Sequence, residues 1–216
     1  DAYRKSYREP GEKIIVRLED NRREFYDLAS DPGETRNLWQ EREGRALILE
    51  QALFSQVDVL AGGWNLRWSS DGTPRRFSGS VETDGVFTSL LPLYGETGRH
   101  RVVQGKRIDF DLEGVVRGGG LSFSVEPPGA RVGFALALDG REGSEFVQIG
   151  GTRNRPPVTP FSFAGPLPSD VLRKPSYRPG SEIGFFLWKN AGASPSDAVE
   201  MTEEMKERLR SLGYIQ

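Results

Sequence analysis

The sequence predicts an α+β chain: a small antiparallel sheet with packed helices, split in two along the chain, plus a β-sandwich between its halves. Three observations point there. Between residues 62 and 190, short runs of alternating apolar and polar residues recur with turn signals between them. On either side the period lengthens to that of a helix, over 43–60 and again over 201–212. The composition, with 26 Gly, 14 Pro and a hydrophobic share of 36%, suits a turn-rich β protein.

Residues 12–18 read as a strand with Ile14, Val16 and Leu18 on one face. The polar segment Glu19-Asp20-Asn21-Arg22 leads into a second strand over 25–28, and the two should pair as a hairpin. Asp31-Pro32-Gly33-Glu34 then stops the strand, with Pro and Gly ordered as in a type II turn. Asn37 is placed to cap a helical turn, with Gln40 three residues on. Ala46, Leu49, Leu53, Val57 and Leu60 fall at helical spacing, so a helix is expected from about residue 43 to 60, ended by Gly62-Gly63 and covering one face of the hairpin.

From Gly62 the pattern is β. Ile108, Phe110 and Leu112 alternate with charged residues, Leu121, Phe123 and Val125 with serines, and Val132, Phe134, Leu136 and Leu138 with Gly133, Ala135 and Ala137. Ile183, Phe185 and Leu187 close the set. Asp71-Gly72, Asp84-Gly85 and Asp139-Gly140 each read as hairpin turns. Residues 190–200 read as a linker, and Met201, Met205, Leu209 and Leu212 as one face of a terminal helix capped by Thr202 and stopped by Gly213. The expected organisation is residues 1–61 with 191–216 as one subdomain and 62–190 as the sandwich.

Charge and composition exclude several functions. A net charge of −2 argues against a dedicated nucleic-acid binder. With no cysteine there is no disulfide, thiolate metal site or cysteine nucleophile. No apolar run approaches the about 18 residues of a membrane span, and the first residues are polar and unlike a signal peptide. Asp109 and Asp111 would share a strand face about 7 Å apart, but the alternation makes that a solvated outer face. His100, between Arg99 and Arg101, reads as a surface turn, and Gly118-Gly119-Gly120 as a hairpin loop. The candidate ligand-binding residues are Trp64, Trp68 and Trp188, whose rings could stack on sugars, and Arg153 and Arg155 in a Pro-rich loop, which could meet sulfate or carboxylate groups. The competing reading buries the tryptophans in the core, and it is favoured because Trp is highly buried on average.

The stretch Tyr26-Asp27-Leu28, Asp31-Pro32-Gly33-Glu34, Asn37-Leu38 resembles the closing signature of the sulfatase family, arylsulfatase-like members of the alkaline phosphatase superfamily. The ending Leu209-Arg210-Ser211-Leu212-Gly213-Tyr214 resembles the Leu-x-x-Leu-Gly-Tyr tail of many bacterial sulfatases. The resemblance covers residues 3–60 and 201–216, and implies that this is the C-terminal region of such an enzyme. It implies an upstream catalytic domain as partner, a sulfated carbohydrate as a candidate ligand, and a secreted or periplasmic setting. It also implies a divalent cation (calcium or magnesium) and a formylglycine in that parent. The family's Cys/Ser-x-Pro-x-Arg motif has one near match, Gly72-Thr73-Pro74-Arg75-Arg76, with Gly where the convertible residue belongs. No catalytic or metal residue is therefore expected in this chain, and the chain alone is expected to be inactive. Two functions follow: a non-catalytic portion that completes the catalytic domain's fold and shapes substrate access, or a self-standing carbohydrate-binding sandwich.

Overall fold

Alternating apolar residues dominate this chain, and in the computed structural model they build sheets at the expense of helix. The structure describes residues 4–17, 20, 22–55, 62–94, 98–152 and 154–191. Of these, 49% lie in strands and 9% are helical, with one α-helix and three sheets. The α+β class is thereby overturned: the fold is mostly β. One twelve-residue helix can cover one face of a small sheet, and the rest of the core is sheet on sheet. The linker after residue 191 and the terminal helix, with its Leu-x-x-Leu-Gly-Tyr ending, lie outside the described residues, as do Leu18, Val57 and Leu60.

The first lobe is a three-stranded antiparallel sheet, β1 (Arg4–Glu9), β2 (Glu12–Arg17) and β3 (Arg22–Asp27), covered by α1 (Glu43–Phe54). Ile14, Val16 and Phe25 meet Ala46, Leu49, Leu53 and Phe54 in one apolar cluster. An ion pair ties helix to sheet at depth: Arg23 Nε donates to Glu50 at 2.6 Å, with both side chains largely buried. Strand β1 was not anticipated, because its polar run shows no apolar stripe. It forms because Pro10-Gly11, with Gly11 at φ 81°, reverses the chain onto β2. Pro followed by a positive-φ glycine is the type II arrangement expected instead at Asp31–Glu34. There the positive φ falls on Glu34 (54°), one residue later than expected.

The other two sheets stack face to face. One has the order β11 (Arg141–Glu142), β10 (Val132–Leu138), β5 (Arg75–Thr83), β8 (Arg107–Val115), β7 (Gly98–Val103), with β13 (Phe161–Phe163) also paired to β10. The facing sheet runs β12 (Val147–Ile149), β14 (Gly184–Lys189), β4 (Trp64–Ser69), β9 (Gly118–Glu126), β6 (Val86–Leu93). Trp68 of β4 stacks on Phe110 of β8 at 5.4 Å and 15°, and Phe185 of β14 meets Phe77 of β5 edge-on at 5.3 Å.

Of the three Asp-Gly dipeptides, Asp139-Gly140 alone joins paired strands. Its φ values of 51° and 76° are those of a type I′ turn between β10 and β11. Asp71-Gly72 and Asp84-Gly85 instead carry the chain from one sheet to the other. Gly118-Gly119-Gly120 is not a loop either: it opens strand β9, opposite Arg67, Trp68 and Ser69.

Candidate functional site

The segment that carries the family resemblance folds into a clasp on its own backbone. Asp31 accepts bonds from the amides of Thr35 (2.8 Å) and Arg36 (2.9 Å) and from the Thr35 hydroxyl. Asn37 does not cap a helix. Its Oδ1 accepts from Phe25 N and Trp39 N, each at 3.0 Å, and its Nδ2 donates to Arg23 O. It thus splices the returning chain onto the free edge of β3, with Leu38 N donating to Phe25 O. Lys13 of β2 holds the left-handed Glu34 through bonds of 2.8 and 2.7 Å. Each polar signature side chain with a described contact serves the fold.

The candidate ligand residues scatter. Trp68 and Trp64 lie in the core between the two sheets. Trp188 is 1% exposed on the other face of its sheet, under Lys174 and beside Arg67, with its Nε1 donating to Asn190. None of the three offers a ring to solvent. Arg153 lies outside the described residues, whereas Arg155 is exposed and lines a cavity of about 230 Å3 with Pro156, Pro157 and Phe161. His100 bonds through Nδ1 to the hydroxyl of Tyr94, whose pKa burial pushes up to about 12.

Asp109 and Asp111 face solvent, each engaged by arginine: Asp109 by Arg107 (2.6 Å) and Arg101 (3.2 Å), Asp111 by Arg76 (2.6 Å). Hydrogen bonds from Arg107 hold Asp109 below the usual carboxylate range, and those from Arg76 do the same for Asp111. The Arg36 amide lowers Asp31 likewise. A depressed folded pKa contributes stability above the unfolded value of ~3.9 that is lost as pH falls through the folded value. The melting temperature should therefore hold from neutrality to about pH 5 and fall below about pH 4. The double change Asp109→Asn and Asp111→Asn should blunt that fall; a melting temperature that rises on acidification would contradict the assignment.

A second cavity, of about 420 Å3, opens on the outer face of the larger sheet. Its making is visible in the strand registers. Ser78, Ser80 and Glu82 of β5 stand opposite Ala137, Ala135 and Gly133 of β10, so the middle of this face is floored by small residues. Arg107 rises on one side, paired with Glu82, and Pro160 and Ser162 border the other, while the Phe161 ring turns inward onto Phe134 at 5.4 Å. Arg131 also lines the cavity, and its guanidinium makes no hydrogen bond or ion pair among the described residues. Phe161 and Ser162 line the Arg155 cavity as well, so the two hollows abut across β13. Sequence reasoning missed this trough, although the Gly133, Ala135, Ala137 alternation was its signal: residues that small leave a sheet face hollow.

Among the described residues no group of three or more His, Asp or Glu side chains is placed to hold a metal ion, and no helix is long and apolar enough to cross a membrane. Comparison with protein-family models, with curated proteins and with solved structures finds no match for this chain.

Proposed function

We propose that this chain is the non-catalytic C-terminal portion of a sulfatase-like hydrolase, a β-rich unit that completes the fold of an upstream catalytic domain and shapes access to it. The observation that carries this reading is the clasp. The residues resembling the family signature, Asp31, Glu34 and Asn37, are spent on binding the chain to its own sheet. That is the behaviour of a folding signature and not of a reacting centre. The open face of the three-stranded sheet adds support. Arg4, Arg17 and Arg22 stand directly opposite one another across its three strands, with exposed Arg8 on the same face. Like charges in one cross-strand row cost stability, which Glu24, paired to Arg4 and Arg22 at 3.5 Å, and Asp20, paired to Arg17 at 3.3 Å, offset in part. Such a face suits an acidic neighbour.

The chain by itself should release no product from an aryl or sugar sulfate, with or without added calcium or magnesium. Sulfate ester cleavage in the family runs through a metal-bound formylglycine hydrate, and metal and donors must stabilise charge on the sulfate oxygens. Gly72 has no side chain to convert. A fluorogenic sulfate ester assay on the purified chain tests this. Turnover that tracks the protein through purification, and falls on changing His100, Asp109 or Asp111, would overturn it. The polypeptide preceding Asp1 tests the family assignment separately, since a Cys/Ser-x-Pro-x-Arg motif is expected there.

A further inference from the structure

We propose that the acidic segment 197–207 of this chain docks on the open face of the three-stranded sheet, its carboxylates meeting Arg4, Arg8, Arg17 and Arg22. The sheet sorts its charges by face. On the α1 side, Glu9, Glu12 and Asp27 form one cross-strand row. Two arginines at the start of α1 answer it: Arg45 binds Glu9 at 2.8 Å and Glu12 at 2.6 Å, and Arg42 binds Asp27 at 3.0 Å. The open side carries the opposite row, Arg4, Arg17 and Arg22, and no second α-helix among the described residues answers it. Glu24 is shared between two of these arginines, and Asp20 reaches the third. Their side chains remain 50%, 37% and 62% exposed. Arg8, on the same face, makes no ion pair or hydrogen bond among the described residues.

The counterpart is in the sequence. Residues 197–207 hold five acids, Asp197, Glu200, Glu203, Glu204 and Glu207, against one base, Lys206. Glu200, Glu204 and Glu207 recur every three to four residues, the spacing that aligns side chains along one face of a helix. Such a stretch is ~10 Å long at about 1.5 Å per residue. It matches a row that crosses three strands set ~4.8 Å apart. The tether is long enough, because the described chain ends at Ala191 and the residues from there to Glu200 span up to ~30 Å when extended. Several carboxylates set against several guanidiniums form a network, which is worth more than a lone exposed pair. The face thus finds its acidic neighbour within the chain. This inference is independent of the sulfatase reading, which the clasp carries.

The chain has no cysteine, so two can be introduced without competition. Ser6→Cys lies exposed on the open face between Arg4 and Arg8, and Ser211→Cys lies just beyond the acidic segment. Nitroxide labels on both, read by double electron–electron resonance on the 216-residue chain, should give one narrow population at short distance in low salt. At 1 M salt, where the screening length is only ~3 Å, that population should be lost. Changing Glu200→Gln, Glu204→Gln and Glu207→Gln together leaves the sheet untouched and should scatter the distances. Arg4→Glu, Arg17→Glu and Arg22→Glu together should do the same, and adding Glu200→Arg, Glu204→Arg and Glu207→Arg should restore the narrow population. A broad distribution in the parent would overturn the inference, as would a narrow one that the glutamine changes leave in place. A distance between singly labelled chains mixed together would place the segment on a second copy and overturn it too.

Discussion

Trp68→Ala should cost ~3–5 kcal/mol of folding stability, the usual loss when a large buried aromatic is truncated. Trp68 is fully buried between the sheets, stacked on Phe110 at 5.4 Å and on Phe77 at 6.4 Å, with Tyr94 at 6.1 Å. Removing it takes away one ring that three others pack against, and the two sheets cannot close the void without breaking their registers. Urea denaturation measures the effect as a shift of midpoint at unchanged slope. A loss below about 1 kcal/mol would be incompatible with a central core position, since core truncations cost several times that. The same experiment separates the two readings of the tryptophans: a sugar platform would lose binding and keep stability.

Gly120→Ala should be nearly as damaging, although it adds a single carbon. A Cβ there would stand 2.3 Å from Arg67 Cδ and 2.6 Å from Leu66 O. The carbonyl belongs to the strand that Gly120 pairs with, so it cannot step aside. Arg67 cannot either. It is fully buried, its Nη1 donates to Leu121 O at 2.7 Å, and its Nη2 donates to Ser122 Oγ at 2.8 Å and Asn65 Oδ1 at 3.0 Å. Displacing a buried guanidinium from such acceptors costs on the order of 3–5 kcal/mol. Thermal melting of the variant beside Gly129→Ala, whose Cβ meets nothing within 4 Å, checks the claim. Equal melting temperatures would mean that the Gly120 contact relaxes freely.

These two positions show what the sequence could tell and what it could not. Strands 12–17 and 107–115 were legible because their apolar residues alternate and one face is buried, as at Ile14 and Val16 or Ile108, Phe110 and Leu112. The β10–β11 hairpin was legible because Asp139-Gly140 accepts two positive φ angles. The glycines 118–120 misled, because glycine permits a loop but is also required where a large side chain lies flat on a neighbouring strand. Nothing local distinguishes the two, since the side chains responsible, Arg67 at Gly120 and Trp68 at Gly119, lie far back in the chain on β4. The α+β expectation failed for a related reason. Periodicity finds helices but does not weigh how much sheet surrounds them. The trough was out of reach because Ser80, Gly133 and Ser162 meet only through the pairing of β5, β10 and β13. Of the candidates picked by type, the three tryptophans are buried, Arg153 lies outside the described residues, and Arg155 lines a cavity.

One contact between the lobes has a consequence for how the molecule opens. Gln51 of α1, nearly fully buried, accepts through a single Oε1 the amides of both Val116 (2.9 Å) and Arg117 (2.8 Å), at the bend between β8 and β9. Leu93 of β6 sits in the apolar cluster of the first lobe, and Arg117 is paired with Glu9 of β1. If α1 came away, two half-buried amides would lose their acceptor together and a leucine would lose its cover. The opening cost is then set in the sandwich as much as in the first lobe, so the N-terminal lobe has no cheap subglobal opening of its own. Whatever meets its arginine-lined face encounters a platform braced from behind.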